Sequence, residues 1–170
     1  MKKALSVFLI SLCSTVGTSQ FAQAAEPSLE GKFSDWTAYS RTEGGDKICY
    51  VLSSPTSKSP ASVRHGDIYV LISSWKSGAA TEQPSFLAGY PLRTTSAPVA
   101  RVGSARFPMY ISENEAFIED NDDERRLIRN MRAGSVMRIQ AMSARGTSVS
   151  YEFSLKGVTA ALKKAKDACK

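Results

Sequence analysis

Residues 147–155 read TSVSYEFSL. Val149, Tyr151, Phe153 and Leu155 alternate with Ser148, Ser150, Glu152 and Ser154, so a two-residue period separates large apolar groups from polar ones. That is the pattern of a strand with one buried face. Working back along the chain, ARG at 144–146 supplies a glycine turn, and SVMRIQAMS at 135–143 precedes it. The two stretches are predicted to form a β-hairpin.

The same reading extends toward the N-terminus. DIYVLISSW at 67–75 is rich in β-branched and aromatic residues with apolar groups on both faces, which predicts a central strand. DKICYVLSS at 46–54 puts Ile48, Tyr50 and Leu52 on one face and Cys49 and Val51 on the other. RFPMYIS at 106–112 predicts a strand with Phe107, Met109 and Ile111 on one face, kept to an edge by Pro108. Between the early strands, SPTSKSPAS and KSGAATEQPS read as loops. Trp36 and Trp75 sit in or near strands and are expected in the core; exposed, they would be binding anchors.

Two segments break the alternation. NDDERRLIRNMRAG at 121–134 opens on Asn121 as a candidate N-cap with Glu124 three residues on, and stops at Gly134. Leu127, Ile128 and Met131 share one helical face. In GVTAALKKAKDACK at 157–170, Val158, Ala161, Leu162, Ala165 and Cys169 recur at helical spacing, while Lys163, Lys164, Lys166 and Lys170 lie largely off that stripe. The expectation is a mainly β protein, a β-sandwich with a short helix near 121–133 and a C-terminal helix near 157–168.

The chain begins MKKALSVFLISLCSTVGTSQFAQAAEPS. Lys2 and Lys3, a short apolar core and the small residues Ala22 and Ala24 predict a signal peptide over 1–24, leaving one domain over 25–170. Bulky Leu12 argues against lipidation at Cys13. No later stretch is long enough to span a bilayer as a helix. Loss of the leader leaves two cysteines, Cys49 and Cys169, in a compartment where disulfides persist, and only one pairing within the chain. They form no CxxC motif, and with no histidine motif they make a poor zinc site.

The formal net charge of +6 falls to +4 without Lys2 and Lys3. Residues 113–124, ENEAFIEDNDDE, carry seven acids and no base, so the remainder is distinctly basic. Such a balance suits contact with anionic surfaces, but solubility is the simpler reading of it. Lys163, Lys164, Lys166 and Lys170 are the candidate residues for an anionic surface.

An ordered set of segments also carries a family resemblance: DWTAY, KICYVLSSP with Arg64 soon after, GYPL, MRAGSVMRIQAMSARGT and SLKGVTAALKKAKDAC. Together they resemble the invasion-associated locus B family of exported Gram-negative proteins, over about Trp36 to Cys169. The resemblance implies an immunoglobulin-like β-sandwich, an association with host-cell invasion in pathogenic members and no catalytic machinery. Some relatives carry a further cysteine soon after the tryptophan, where this chain reads TAYSR; the resemblance thereby supports pairing Cys49 with Cys169.

Reading the residues for chemistry gives little that competes. His65, in VRHGD, is the single histidine, with Asp67 nearby but no GxSxG serine, so a turn histidine is the simpler reading than a triad. The acids of EDNDDE lack the glycine and distal glutamate of a calcium loop and suit a helix start. Arg145 and Gly146 could hold an anion, but a hairpin turn is the simpler reading. The expected function is a non-catalytic envelope-binding protein, periplasmic, outer-membrane associated or secreted. It is expected to use no cofactor and no nucleic acid, and to meet an envelope or host protein or an anionic lipid or polysaccharide surface. The alternative is an envelope or host-material hydrolase with an unrecognised site.

Overall fold

A computed structural model describes residues 26–170; the leader expected over 1–24 lies outside the described residues. The alternating stretches become strands β1 (Ser28–Phe33), β2 (Trp36–Glu43), β3 (Asp46–Ser53), β4 (Ser57–Ser59), β5 (Tyr69–Trp75) and β6 (Gln83–Leu87). Shorter strands follow: β7 (Val99–Val102), β8 (Ala105–Pro108), β9 (Tyr110–Ser112) and β10 (Glu115–Phe117). Helix α1 (Asn121–Ala133), strands β11 (Val136–Met142) and β12 (Ser148–Ser154), and helix α2 (Val158–Ala168) complete the order.

The β11–β12 hairpin pairs Met137 with Phe153, Ile139 with Tyr151 and Ala141 with Val149. Met137, Ile139, Tyr151 and Phe153 are buried, so one face of the hairpin is core. The hairpin belongs to an antiparallel sheet ordered β4-β12-β11-β7-β8. That sheet packs on a larger antiparallel sheet ordered β1-β2-β3-β5-β6-β10-β9. Phe86 of β6 meets Tyr151 of β12 across the interface at 5.6 Å between ring centroids. Trp36 of β2, fully buried, donates its indole N–H to the Ser154 carbonyl at 2.9 Å.

The smaller sheet leaves part of the inner face of the larger one uncovered, and α2 fills it, lying against β1, β2 and β3. Val158, Ala161, Leu162 and Ala165 are its buried side chains, the stripe expected from their spacing. In α1 the buried stripe is Leu127, Ile128 and Met131.

Four local readings are corrected. RFPMYIS is not one strand: β8 pairs with β7 in the smaller sheet and β9 pairs with β10 in the larger. Pro108 has no N–H to continue the first ladder, so β8 ends there at the sheet edge and the chain changes sheet. The stretch SPTSKSPAS holds β4, which pairs through Ser59, Lys58 and Ser57 with Ser150, Tyr151 and Glu152. The end of KSGAATEQPS belongs to β6. The cap of α1 is Asp120, one residue before the expected Asn121, with its carboxylate accepting from the N–H groups of Asp122 and Asp123 at 2.8 and 3.0 Å.

Candidate functional site

The Sγ atoms of Cys49, on β3, and Cys169, just past α2, lie 2.19 Å apart, with a Cα separation of 5.7 Å. Cys49 points inward because it alternates with Ile48 and Tyr50, and Cys169 because it continues the α2 stripe. The last turn of α2 is thereby held against the strands. Beside it, Lys76 donates to the Lys170 carbonyl at 2.9 Å.

This placement sorts the four lysines. Lys164 turns toward β1, 3.5 Å from Glu30. The Glu30 carboxyl is held below the usual range, first by a hydrogen bond from Ser40 and then by Lys164. Lys170 pairs with Asp167 at 2.6 Å, which lowers the Asp167 carboxyl in the same way. Lys163 and Lys166 are exposed and have no ion-pair partner among the described residues. They border a groove of about 540 Å³ between α2, β5 and the segment leading to β6. Ile72, Leu162 and Cys169 give the groove apolar surface, and Lys76 and Arg132 add two more cations beside Glu82. Trp75 is only partly buried, not a core residue: it pairs with Ile48 on the face of the larger sheet opposite Cys49 and Ser74, away from α2.

Arg132 also lines a second recess of about 590 Å³ that runs along α1 past Arg125 and Arg129. Positions 125, 129 and 132 fall on one side of a helix, so the cationic face crosses from α2 to α1. Arg132 is tied to Glu82 and Arg125 to Asp122. Glu124 sits at the edge of this recess, its carboxyl pushed up by burial and partly restored by a hydrogen bond from Gln83. The spacing of these arginines in ERRLIRNMR is the sequence signal for the face, masked by the acidic run just before it. Chemically, the face sets cationic donors around a disulfide and the flank of α2, an arrangement suited to holding anions.

The other candidate residues have local employment. His65 is buried, its Nε2 2.9 Å from the Pro60 carbonyl and its Nδ1 2.8 Å from the Tyr151 hydroxyl. A carbonyl only accepts, so Nε2 carries the proton and Nδ1 accepts from Tyr151. Tyr151 in turn accepts from Tyr90, 2.7 Å away, and burial raises both phenols above their ordinary range. Both ring nitrogens are occupied by contacts that join three segments of the fold. Arg64 and Arg145 border a recess of about 490 Å³ beside His65 and Tyr90. The acids at 120–123 cap α1 and pair with Arg125 and Arg126.

Comparison with known proteins supplies the frame. Residues 36–166 match the family model described as Invasion associated locus B (IalB) protein. No curated protein matches the sequence. Among solved structures, the chain is similar to the crystal structure of invasion associated protein B from Bartonella henselae. The TM-score is 0.59 at 13% identity, covering 85% of this chain and 97% of that one, a likeness of fold.

Proposed function

Because the chain belongs to the invasion associated locus B family, we propose that it is an exported, non-catalytic binding protein that meets an anionic surface through the face shared by α2 and α1. The observation that carries this reading is the groove beside α2, where Lys163 and Lys166 are exposed and unneutralised among the described residues. A family and a structural neighbour both named for invasion support a surface of the envelope or the host cell as the partner.

Exposed lysines near an anionic membrane are worth on the order of 1 kcal/mol each, so attachment is weak, salt-sensitive and in need of a further specific contact. The test is binding to phosphatidylserine-containing vesicles across a salt series. Lys163→Glu with Lys166→Glu weakens binding about tenfold or more without lowering the unfolding temperature. Equal binding by wild type and variant at every salt concentration overturns the reading. A hydrolase screen with His65→Ala as control addresses catalysis: activity that depends on His65 overturns the non-catalytic part.

A further inference from the structure

The outer face of the smaller sheet carries a charge arrangement that folding alone opposes. Across β11 and β7, Arg138 stands opposite Arg101, and across β7 and β8, Arg101 stands opposite Arg106. Neighbouring strands lie about 4.8 Å apart, so three guanidinium side chains leave the backbone in one row within about 10 Å. Like charges directly opposite one another destabilise a sheet. Among the described residues the row has one acidic ion-pair partner: Glu152, opposite Arg138 on β12, accepts from its Nε at 2.6 Å. Arg101 and Arg106 have no ion-pair partner among the described residues, and the Arg101 Nε is buried without any hydrogen-bond partner. A buried donor left unmade is a cost in itself.

A shallow recess of about 490 Å³ opens here, lined by Arg101, Gly103, Ser135, Val136, Arg138 and Gln140, none of them acidic. Val136 is 40% exposed at its rim.

We propose that Arg101, Arg106 and Arg138 form a binding site for phosphate monoester groups displayed on a lipid or saccharide. The inference keeps the anionic partner of the reading above and adds a site on different elements. With Arg138 engaged by Glu152, the row retains two uncompensated positive charges, which matches the −1.5 to −2 or so of a phosphate monoester better than a single carboxylate. Guanidinium groups also fork onto phosphate oxygens with two parallel hydrogen bonds, a geometry lysine lacks. The open sheet face suits a headgroup presented from outside rather than a metabolite enclosed on all sides.

Two probes separate the sources. Glucose 1-phosphate is titrated into isotopically labelled protein while the arginine Nε–Hε resonances are followed, with glucose as the uncharged control. Phosphatidylcholine vesicles containing phosphatidic acid form the second arm. Saturable shifts at Arg101, Arg106 and Arg138 support a saccharide phosphate, and vesicle recruitment that persists in the Lys163→Glu, Lys166→Glu background supports a lipid phosphate at the arginine row. In either case Arg101→Gln with Arg106→Gln weakens binding about tenfold or more, while Lys163→Glu with Lys166→Glu leaves the glucose 1-phosphate shifts unchanged. The single variant Arg101→Gln is expected to unfold at a higher temperature than wild type without ligand, because the repulsion is relieved. Should the double variant fail to fold, Arg106→Gln on the edge strand makes the same comparison. The site is overturned if neither probe engages it, or if binding survives loss of Arg101 and Arg106.

Discussion

His65 is the residue on which catalytic and structural readings of this chain diverge most. Its two ring nitrogens join the Pro60 carbonyl to the Tyr151 hydroxyl, and Tyr90 extends the chain by one more hydroxyl. Removing the imidazole leaves two buried polar groups without their partner, which costs about 1–3 kcal/mol. His65→Ala is therefore expected to lower stability by about that amount, read as a drop in the denaturant midpoint with an unchanged slope. A stability equal to wild type contradicts the structural role. The sequence showed that His65 neighbours a glycine; it did not show Tyr151 and Tyr90, which arrive from strands and segments far along the chain. The arginine row was hidden for the same reason. Arg101, Arg106 and Arg138 look unrelated until cross-strand register sets them side by side.

At the scale of elements, helices were legible because their signals are local. The Leu127, Ile128 and Met131 stripe and the Val158-to-Ala165 stripe each specify a buried face within four turns. Short strands were not: β4 has three residues and no alternation to detect, and its existence depends on the edge that β12 offers it. The start of α2 joins both kinds of information. Gly157 caps it with φ of +97°, and a Cβ added there would lie 1.9 Å from the Phe33 carbonyl oxygen. Both the left-handed backbone and the close approach of the β1–β2 turn require glycine. Gly157→Ala is expected to cost roughly 2 kcal/mol or more, combining the penalty of a positive φ with displacement of backbone. Amide exchange measures it. Protection in the first turn of α2 falls in the variant, and unchanged protection would mean that the turn at Phe33 yields freely.

The whole molecule is a sandwich whose larger sheet needs α2 as a third covering element, and the Cys49–Cys169 pair determines how firmly that cover is attached. A helix of eleven residues, alanine-rich and built on four buried side chains, is marginal when detached. The two cysteines stand 120 residues apart in sequence. A covalent link closing a loop of about 100 residues restricts the unfolded chain by roughly 4–5 kcal/mol in the chain-entropy account, a ceiling that native strain lowers. Reduction, or Cys49→Ser with Cys169→Ser, is thus expected to lower the unfolding temperature and to release α2 before the sheets, because the hairpin core of Met137, Ile139, Tyr151 and Phe153 does not depend on the link. Freed from β3, Lys163 and Lys166 no longer border a fixed groove with Lys76, so vesicle binding becomes less specific as stability falls. Thiol labelling of the protein under denaturing, non-reducing conditions should find Cys49 and Cys169 unreactive. Two reactive thiols there, or α2 amides as protected in the double serine variant as in wild type, would show that helix packing alone holds the cover in place.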